Sequence, residues 1–276
     1  MAGDLLDAVE ASFAVHEQAD GTYEGPNVPL ESYGRLFGGQ LLAQALGVAA
    51  ATTEGKVPKS LHLLFLAEGR PGTPVCWSVD ELHSGRSFAS RALTACQGDR
   101  MLVAGLASMH ATEPGLEYQE PPPDVQQPEE LKPIAPTGAM PLEMRVDGDA
   151  ALDSDAVGAP CLSVWMRVPS DHLPGSPLVQ QQLLAYCSDA TMMAAAMRPH
   201  PGVGFGSPAI VASAVTSHTI SFHRPVALDD WMLFVQHSPV ASGGRAYIRG
   251  DWFQAGGLLV ASCAQEAMIR VAGVER

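Results

Sequence analysis

QLLAQALGVAA, residues 40–50, and QLLAYCSDATM, residues 182–192, open on the same four letters and continue with small and apolar side chains at helical length. A chain that uses one helix twice invites a search for a second copy of everything else. Phe65 precedes the LVA at 102–104 by 37 residues, and Phe222 precedes the LVA at 259–261 by the same 37. Between these markers SGRSFASR (84–91) answers GGRAYIR (243–249). The ending LVAGLAS (102–108) answers LVASCAQ (259–265). Order and spacing together make this an internal repeat.

Each copy predicts a helix rich in Ala, Leu and Met, over 40–51 and 178–197, preceded by a short strand. CLSVWMRV (161–168) reads as that opening strand in the second copy. Alternating apolar patterns then predict strands at 57–66, 74–82, 86–97 and 100–111, and again at 209–223, 230–239, 244–254 and 257–270. One helix followed by a run of antiparallel strands is an α+β pattern, with the helix on one face of a curled sheet. The helices are apolar almost all round, which suits enclosure by a sheet. Between the copies, residues 113–141 hold eight prolines and no apolar period, and read as a Pro-rich acidic linker. The expected units are therefore an N-terminal one over 1–112, the linker over 113–141, and a C-terminal one over 142–276.

The chain of 276 residues carries a net charge of −14, and residues 113–155 account for −9 of it, with eleven acidic and two basic side chains. No basic stripe is present, so no nucleic acid partner is expected. No long uncharged apolar run predicts a membrane span, and the first twenty residues are acidic and lack a basic signal-peptide region, which points to the cytoplasm. Five cysteines without a C-x-x-C pair read as reduced thiols in apolar runs. The nine histidines show no metal-ligand spacing, so neither a metal nor a cofactor is called for. GRSFA (85–89) begins a strand rather than a nucleophile elbow, and GVGFGS (202–207) precedes a strand and reads as a loop.

Asp189 sits amid apolar residues, with Ala185, Tyr186, Met192 and Met193 one turn away and no cation on its stripe. An unpaired buried carboxylate is unfavourable by several kcal/mol or shifts its pKa upward. The first copy has Gly47 at that place, and Ser108 where the second has Gln265. The second copy is also fifteen residues longer between QLLA and the phenylalanine, around MRPHPGVGFGSPA (197–209). Polar specialisation thus lies in the second half. Gln265 alternates with Cys263 and Ala261 on an inward face, and Ser217, Thr219 and Ser221 share one face of their strand. A carboxylate, an amide and a hydroxyl can hold one water, and the carboxylate can take its proton as it attacks. Without a metal or an activated Ser or Cys, the electrophile must already be reactive; a thioester qualifies.

RLFGGQLLAQAL (35–46), SLHLLFL (60–66), HSGRSFASR (83–91), LLAYCSD (183–189), SFHRP (221–225) and LLVASCAQEAMIR (258–270) resemble the type II acyl-CoA thioesterases along nearly the whole chain except the linker. The resemblance implies a double hotdog, in which two long helices are each wrapped by a curved antiparallel sheet. It implies hydrolysis of acyl-CoA to a free carboxylic acid and CoA, by a water that an Asp, a Gln and a Thr or Ser orient. Asp189 and Gln265 match the first two. Counting back from Phe222-His223, the family's hydroxyl falls on Val215, so either Thr216 fills the role through a bulge or Ser217 does from Val215's face. The thioester carbonyl would be polarised by N–H groups at a helix N-terminus, and Arg86, Arg91, Arg245 and Arg249 are candidates for the CoA phosphates. Exposed sheet edges and the family likeness imply a homodimer or larger homo-oligomer. The rival reading is a non-catalytic acyl-CoA-binding protein of the same fold, motivated by Val215. A hydratase on this fold would need a D-x-N-P-x-H-like segment, which the sequence lacks.

Overall fold

Strands form where the sequence alternates. The computed structural model of the chain, which describes residues 2–27, 34–134, 140–148, 157–169 and 176–272, shows how they join. The first half contains α1 (Ala2–Ala11), β1 (His16–Glu17), β2 (Tyr23–Gly25), α2 (Gly38–Ala51), β3 (Val57–Phe65), β4 (Val75–Ser84), β5 (Phe88–Gln97) and β6 (Arg100–His110). The second contains β7 (Pro133–Ile134), β8 (Glu143–Val146), β9 (Cys161–Arg167), α3 (Pro177–Met197), β10 (Ile210–Phe222), β11 (Met232–Ser242), β12 (Arg245–Gln254) and β13 (Leu259–Val271). The described residues thus hold three α-helices rather than the expected two. The addition, α1, buries Leu6 and Val9 at helical spacing, and Phe13 follows it into the core.

All strands lie in one antiparallel sheet of order β1-β2-β4-β5-β6-β3-β10-β13-β12-β11-β9-β8-β7. Reading outward from the centre, β3-β6-β5-β4-β2 repeats as β10-β13-β12-β11-β9, so the repeat in sequence is a repeat in topology. The halves join where β3 pairs with β10. If Phe65 answers Phe222, then Ser60 answers Ser217 and Leu64 answers Ser221; Ser60 pairs with Ser221 and Leu64 with Ser217. The join therefore has local twofold character centred on His62 and Thr219, which pair with each other and hydrogen-bond at 2.6 Å between Nδ1 and Oγ1.

The strand partners also correct one equivalence. Leu61 pairs with Ala107, whereas its counterpart His218 pairs with Gln265. Ala107, an inward residue, is thus the structural match of Gln265, and Ser108 lies one position along on the outer face. The two LVA triplets are out of step by one residue because the second hairpin turn is longer: four residues separate Cys96 from its partner Met101, and five separate Phe253 from Leu259.

Residues 113–134 of the expected 113–141 linker are more than a spacer; 135–139 lie outside the described residues. Gln119 donates to the Gly257 carbonyl at 2.7 Å, and the Trp165 indole N–H donates to the Gln126 carbonyl at 2.9 Å. Val125 and Leu131 pack on Trp165, Trp231, Leu233 and Phe253, and a 3-10 turn at Pro128–Glu130 leads into β7. Prolines remove N–H donors that an extended strap has no ladder to satisfy. The cysteine reading also changes: Cys187 and Cys263 are buried, but Cys76 and Cys161 are exposed, and Cys76 faces Cys96 across β4 and β5. No helix among the described residues is long and apolar enough to cross a membrane.

Helices α2 and α3 lie against the inner face of the sheet and share one core cluster. Ser176 caps α3 by accepting from the Val179 N–H at 3.2 Å, and Pro177 occupies its first turn. Helix α2 has no side-chain cap; Gly39, Ala43 and Gly47 stand four residues apart on the side facing α3. A Cβ on Gly39 would lie 2.4 Å from the Tyr186 carbonyl oxygen, and one on Gly47 would lie 2.8 Å from Gln182 Nε2. Gln182 donates to the Ala43 carbonyl at 2.9 Å. The two helices are thus antiparallel and nearly in backbone contact, which brings the start of α2 to the middle of α3. Because the obstacle at Gly39 is backbone, Gly39→Ala should force the helices apart and destabilise the protein by about 1–3 kcal/mol, read as a lowered denaturant midpoint.

Candidate active site

Asp189 lies on α3 where the helix meets the start of α2, with only 6% of its surface exposed. Its Oδ1 accepts from Gln265 Nε2 at 2.7 Å, and the Gly39 backbone N–H donates to the carboxylate. A Cβ on Gly38 would fall 2.6 Å from Oδ2, so that glycine leaves room for the carboxyl group. Burial is the largest influence on the acid and raises its pKa from 3.8 to about 7; the Gly39 hydrogen bond, the charge of Arg35 and the Gln265 hydrogen bond pull in the opposite direction. A carboxyl group with a pKa near neutrality can both take and return a proton under physiological conditions.

Gln265 is fully buried on β13, between His218 on β10 and Ile248 on β12. Its Nε2 lies 2.7 Å from Asp189 Oδ1 and 3.3 Å from His218 Nδ1. Its buried Oε1 has no protein partner among the described residues. The inward alternation with Cys263 and Ala261 is present: both are buried.

Between Val215 and Ser217 the pairing of β10 with β13 shifts register, and Thr216 is the extra residue. A bulge re-aims side chains on the bulged strand. Thr216 Oγ1 donates to the Glu266 carbonyl at 3.1 Å and lines the same cleft as Asp189. Ser217 does not line that cleft. It pairs with Leu64 and Glu266 and, like Thr219 and Ser221, alternates with the buried His218, Ile220 and Phe222. The bulge breaks the simple alternation that would place Ser217 on Val215's face.

The cleft, about 260 Å³, opens where β10 and the end of β3 diverge beyond the Leu64–Ser217 pair. Arg35 stands in its wall, 2.7 Å from Glu68 and donating to the Ser213 carbonyl at 3.0 Å. A cation near Asp189 was not expected from α3 itself; it comes from the segment before α2. The quoted RLFGG contained the signal, since a Gly-Gly pair at a helix start marks close approach. Arg91 departs from the role considered for it. It is 2% exposed and donates to Thr52, His83, Ser84 and Ser90, besides pairing with Glu81 at 3.2 Å, so it braces the β4–β5 region. Arg245 lines a separate cavity of about 700 Å³ at the far end of α3, with Met197, Val211 and Ile269.

The raised pKa has a sign that can be tested. Between pH 4 and 7 an unfolded chain has lost the Asp189 proton while the folded protein keeps it, so rising pH favours unfolding through that window. Asp189→Asn should match wild type near pH 4 and become progressively more stable than it towards pH 8, measured by thermal unfolding across pH.

Residues 28–110 match the family model of the acyl-CoA thioesterase N-terminal domain, and residues 116–269 match that of the acyl-CoA thioesterase C-terminal domain. The chain is 30% identical to acyl-CoA thioesterase 2 of Haemophilus influenzae, over 86% of this chain and 88% of that one. It is 29% identical to mouse acyl-coenzyme A thioesterase 8, over 98% and 92%. The crystal structure of an acyl-CoA thioesterase II from Mycobacterium marinum superposes with a TM-score of 0.80 at 28% identity, covering 96% of this chain and 99% of that one. A hot dog fold protein from Alicyclobacillus acidocaldarius, at 20% identity, covers 96% and 98% with a TM-score of 0.78, and so shares the fold.

Proposed function

The chain belongs to the type II acyl-CoA thioesterase family, and on that footing we propose that it hydrolyses acyl-CoA to a carboxylic acid and CoA with a water held by Asp189, Gln265 and Thr216. The 2.7 Å contact of Gln265 with Asp189, which lines a cleft together with Thr216, carries this reading. Water attacks the thioester carbon as its proton passes to Asp189, and a C–O bond forms. The tetrahedral intermediate then collapses with cleavage of the C–S bond, and the proton on Asp189 returns to the departing sulfur. Gln265 Oε1, buried and without a protein partner, is an acceptor for the second water proton. Thr216 Oγ1 donates to the Glu266 carbonyl in the free protein; turned towards the water, the same proton would hold the water oxygen, since Asp189 and Gln265 take both of the water's own protons. The positive end of the α2 dipole, at Gly38, is suited to the developing oxyanion.

Arg35 lines the cleft, whereas Arg86, Arg245 and Arg249 do not, so Arg35 is the cation best placed for a substrate anion. The non-catalytic reading drew on Val215 standing where the family has a hydroxyl; the bulge at Thr216, which offers a hydroxyl one residue along, supports the hydrolytic reading over it. We keep the two-unit division at 1–112 and 142–276, and place the strap over 117–134 with the second unit, whose outer face it covers. A homodimer or larger assembly stays part of the proposal. It would use surfaces other than the sheet ends, which are the two-residue strands β1 and β7.

Acyl-CoA turnover followed by thiol release tests the mechanism. Asp189→Asn should lose about 10²–10⁴ in kcat, the range for a positioned general base, and an undiminished kcat would sink it. Thr216→Val should lose about tenfold, the rate equivalent of one hydrogen bond, while Ser217→Ala should stay within twofold of wild type. The kcat profile should rise with pH through an acidic limb near 7, where Asp189 ionises.

A further inference from the structure

His218 is fully buried, directly across the ladder from Gln265, and contacts the side chains of Gln265 and of Ser188, the neighbour of Asp189. Ser188, next to Asp189 on α3, donates its hydroxyl proton to the Ala185 carbonyl at 2.7 Å. Its oxygen is then an acceptor for His218 Nε2, 2.9 Å away, so that nitrogen carries the proton. His218 Nδ1 is therefore bare, and it accepts from Gln265 Nε2 at 3.3 Å. The other hydrogen of that same Nε2 goes to Asp189 Oδ1. Each link has one donor and one acceptor, and reversing any of them would set two acceptors or two donors face to face.

We propose that His218 is a positioning residue that locks the Gln265 amide with its nitrogen towards Asp189 and its Oε1 free to accept from the attacking water. The inference rests on the hydrolytic reading above and deepens it. A carboxylate alone would hold the amide nitrogen in the ground state. Once Asp189 has taken the water's proton, however, it can donate as well as accept, and a free amide could turn. His218 accepts from the nitrogen in both states, so the orientation persists through turnover. Burial, with a smaller contribution from the nearby His62, holds its pKa down to about 3, so it stays a neutral acceptor across the working range. The charged or titratable groups around Asp189 in the described structure are Arg35 with its partner Glu68, from the segments flanking the cleft, and His218 from β10.

Steady-state kinetics of the full-length protein across pH test this. His218→Leu should lower kcat tenfold or more with KM within twofold. It should also move the acidic limb of kcat upward by about one pH unit, because Oε1 can now turn to accept from the protonated acid and favour that form. His218→Asn, which offers an amide oxygen near the place of Nδ1, should recover much of both. Ser188→Ala, which removes the acceptor that fixes the imidazole proton, should shift the limb in the same direction by less. A wild-type limb in folded His218→Leu, or a loss of kcat that Asn does not relieve and that leaves the limb in place, would overturn the proposal. If His218→Leu does not fold, a wild-type profile for Ser188→Ala overturns it instead. An active Asp189→Asn would defeat the hydrolytic mechanism itself, whereas an inactive Asp189→Asn beside a normal His218→Leu defeats only the role of His218.

Discussion

The near-contact of α2 and α3 governs the rest of the molecule. Glycine at 39 lets one helix start against the backbone of the other at Tyr186, and a helix that starts there directs its first N–H groups and its positive dipole end at residue 189. The same closeness removes water from Asp189. Desolvation and partial compensation are thus consequences of one packing decision, and the pKa of about 7 is their balance. A looser pair of helices would admit water and return the acid towards its ordinary range; an uncompensated one would leave it protonated at neutral pH.

A second constraint acts on the strands. β10 is held on both sides, by β3 and by β13, only as far as Ser217. Beyond that residue β3 departs, and the bulge at Thr216 falls at the parting. A bulge there leaves the β3 ladder intact, because the partner strand has already left, and the register shift opens towards the cleft. The core face resumes with His218, whose imidazole can be buried because Ser188 and Gln265 satisfy both nitrogens.

Much of this was legible in the sequence because it is periodic. Strand alternation, the twin helices and the inward face of Gln265 follow from side-chain spacing alone, and the isolation of Asp189 within an apolar run marks it as a candidate site residue. What spacing could not reveal was relation between distant segments. Arg35 is far from Asp189 in sequence, and only the antiparallel helix contact makes them neighbours. The match of Gln265 to Ala107 instead of Ser108 depends on one extra residue in the turn between β12 and β13, which the repeated LVA triplets conceal. Helix α1 was missed because its apolar stripe, Leu6 and Val9, is short. The prolines of 113–141 gave no hint that Val125 and Leu131 would cover an outer-face aromatic cluster.

The asymmetry between the halves has a physical reason that the packing supplies. The site needs glycines at the start of one helix and an acid in the middle of the other. The position in α3 that corresponds to Gly39 is Gln181, which donates to the Pro58 carbonyl, and the position in α2 that corresponds to Asp189 is Gly47, which leaves room for Gln182. Two identical subunits packed in this way would have to place both features on every helix. That would bring a second desolvated carboxylate to the place where Gly47 now lies against Gln182 and the segment around Phe13. Joining the copies in one chain frees each helix to specialise, one as the close-packed platform and the other as the carrier of the acid. Neither half holds the site alone: Arg35, Gly38 and Gly39 come from the first, and Asp189, Thr216, His218 and Gln265 from the second.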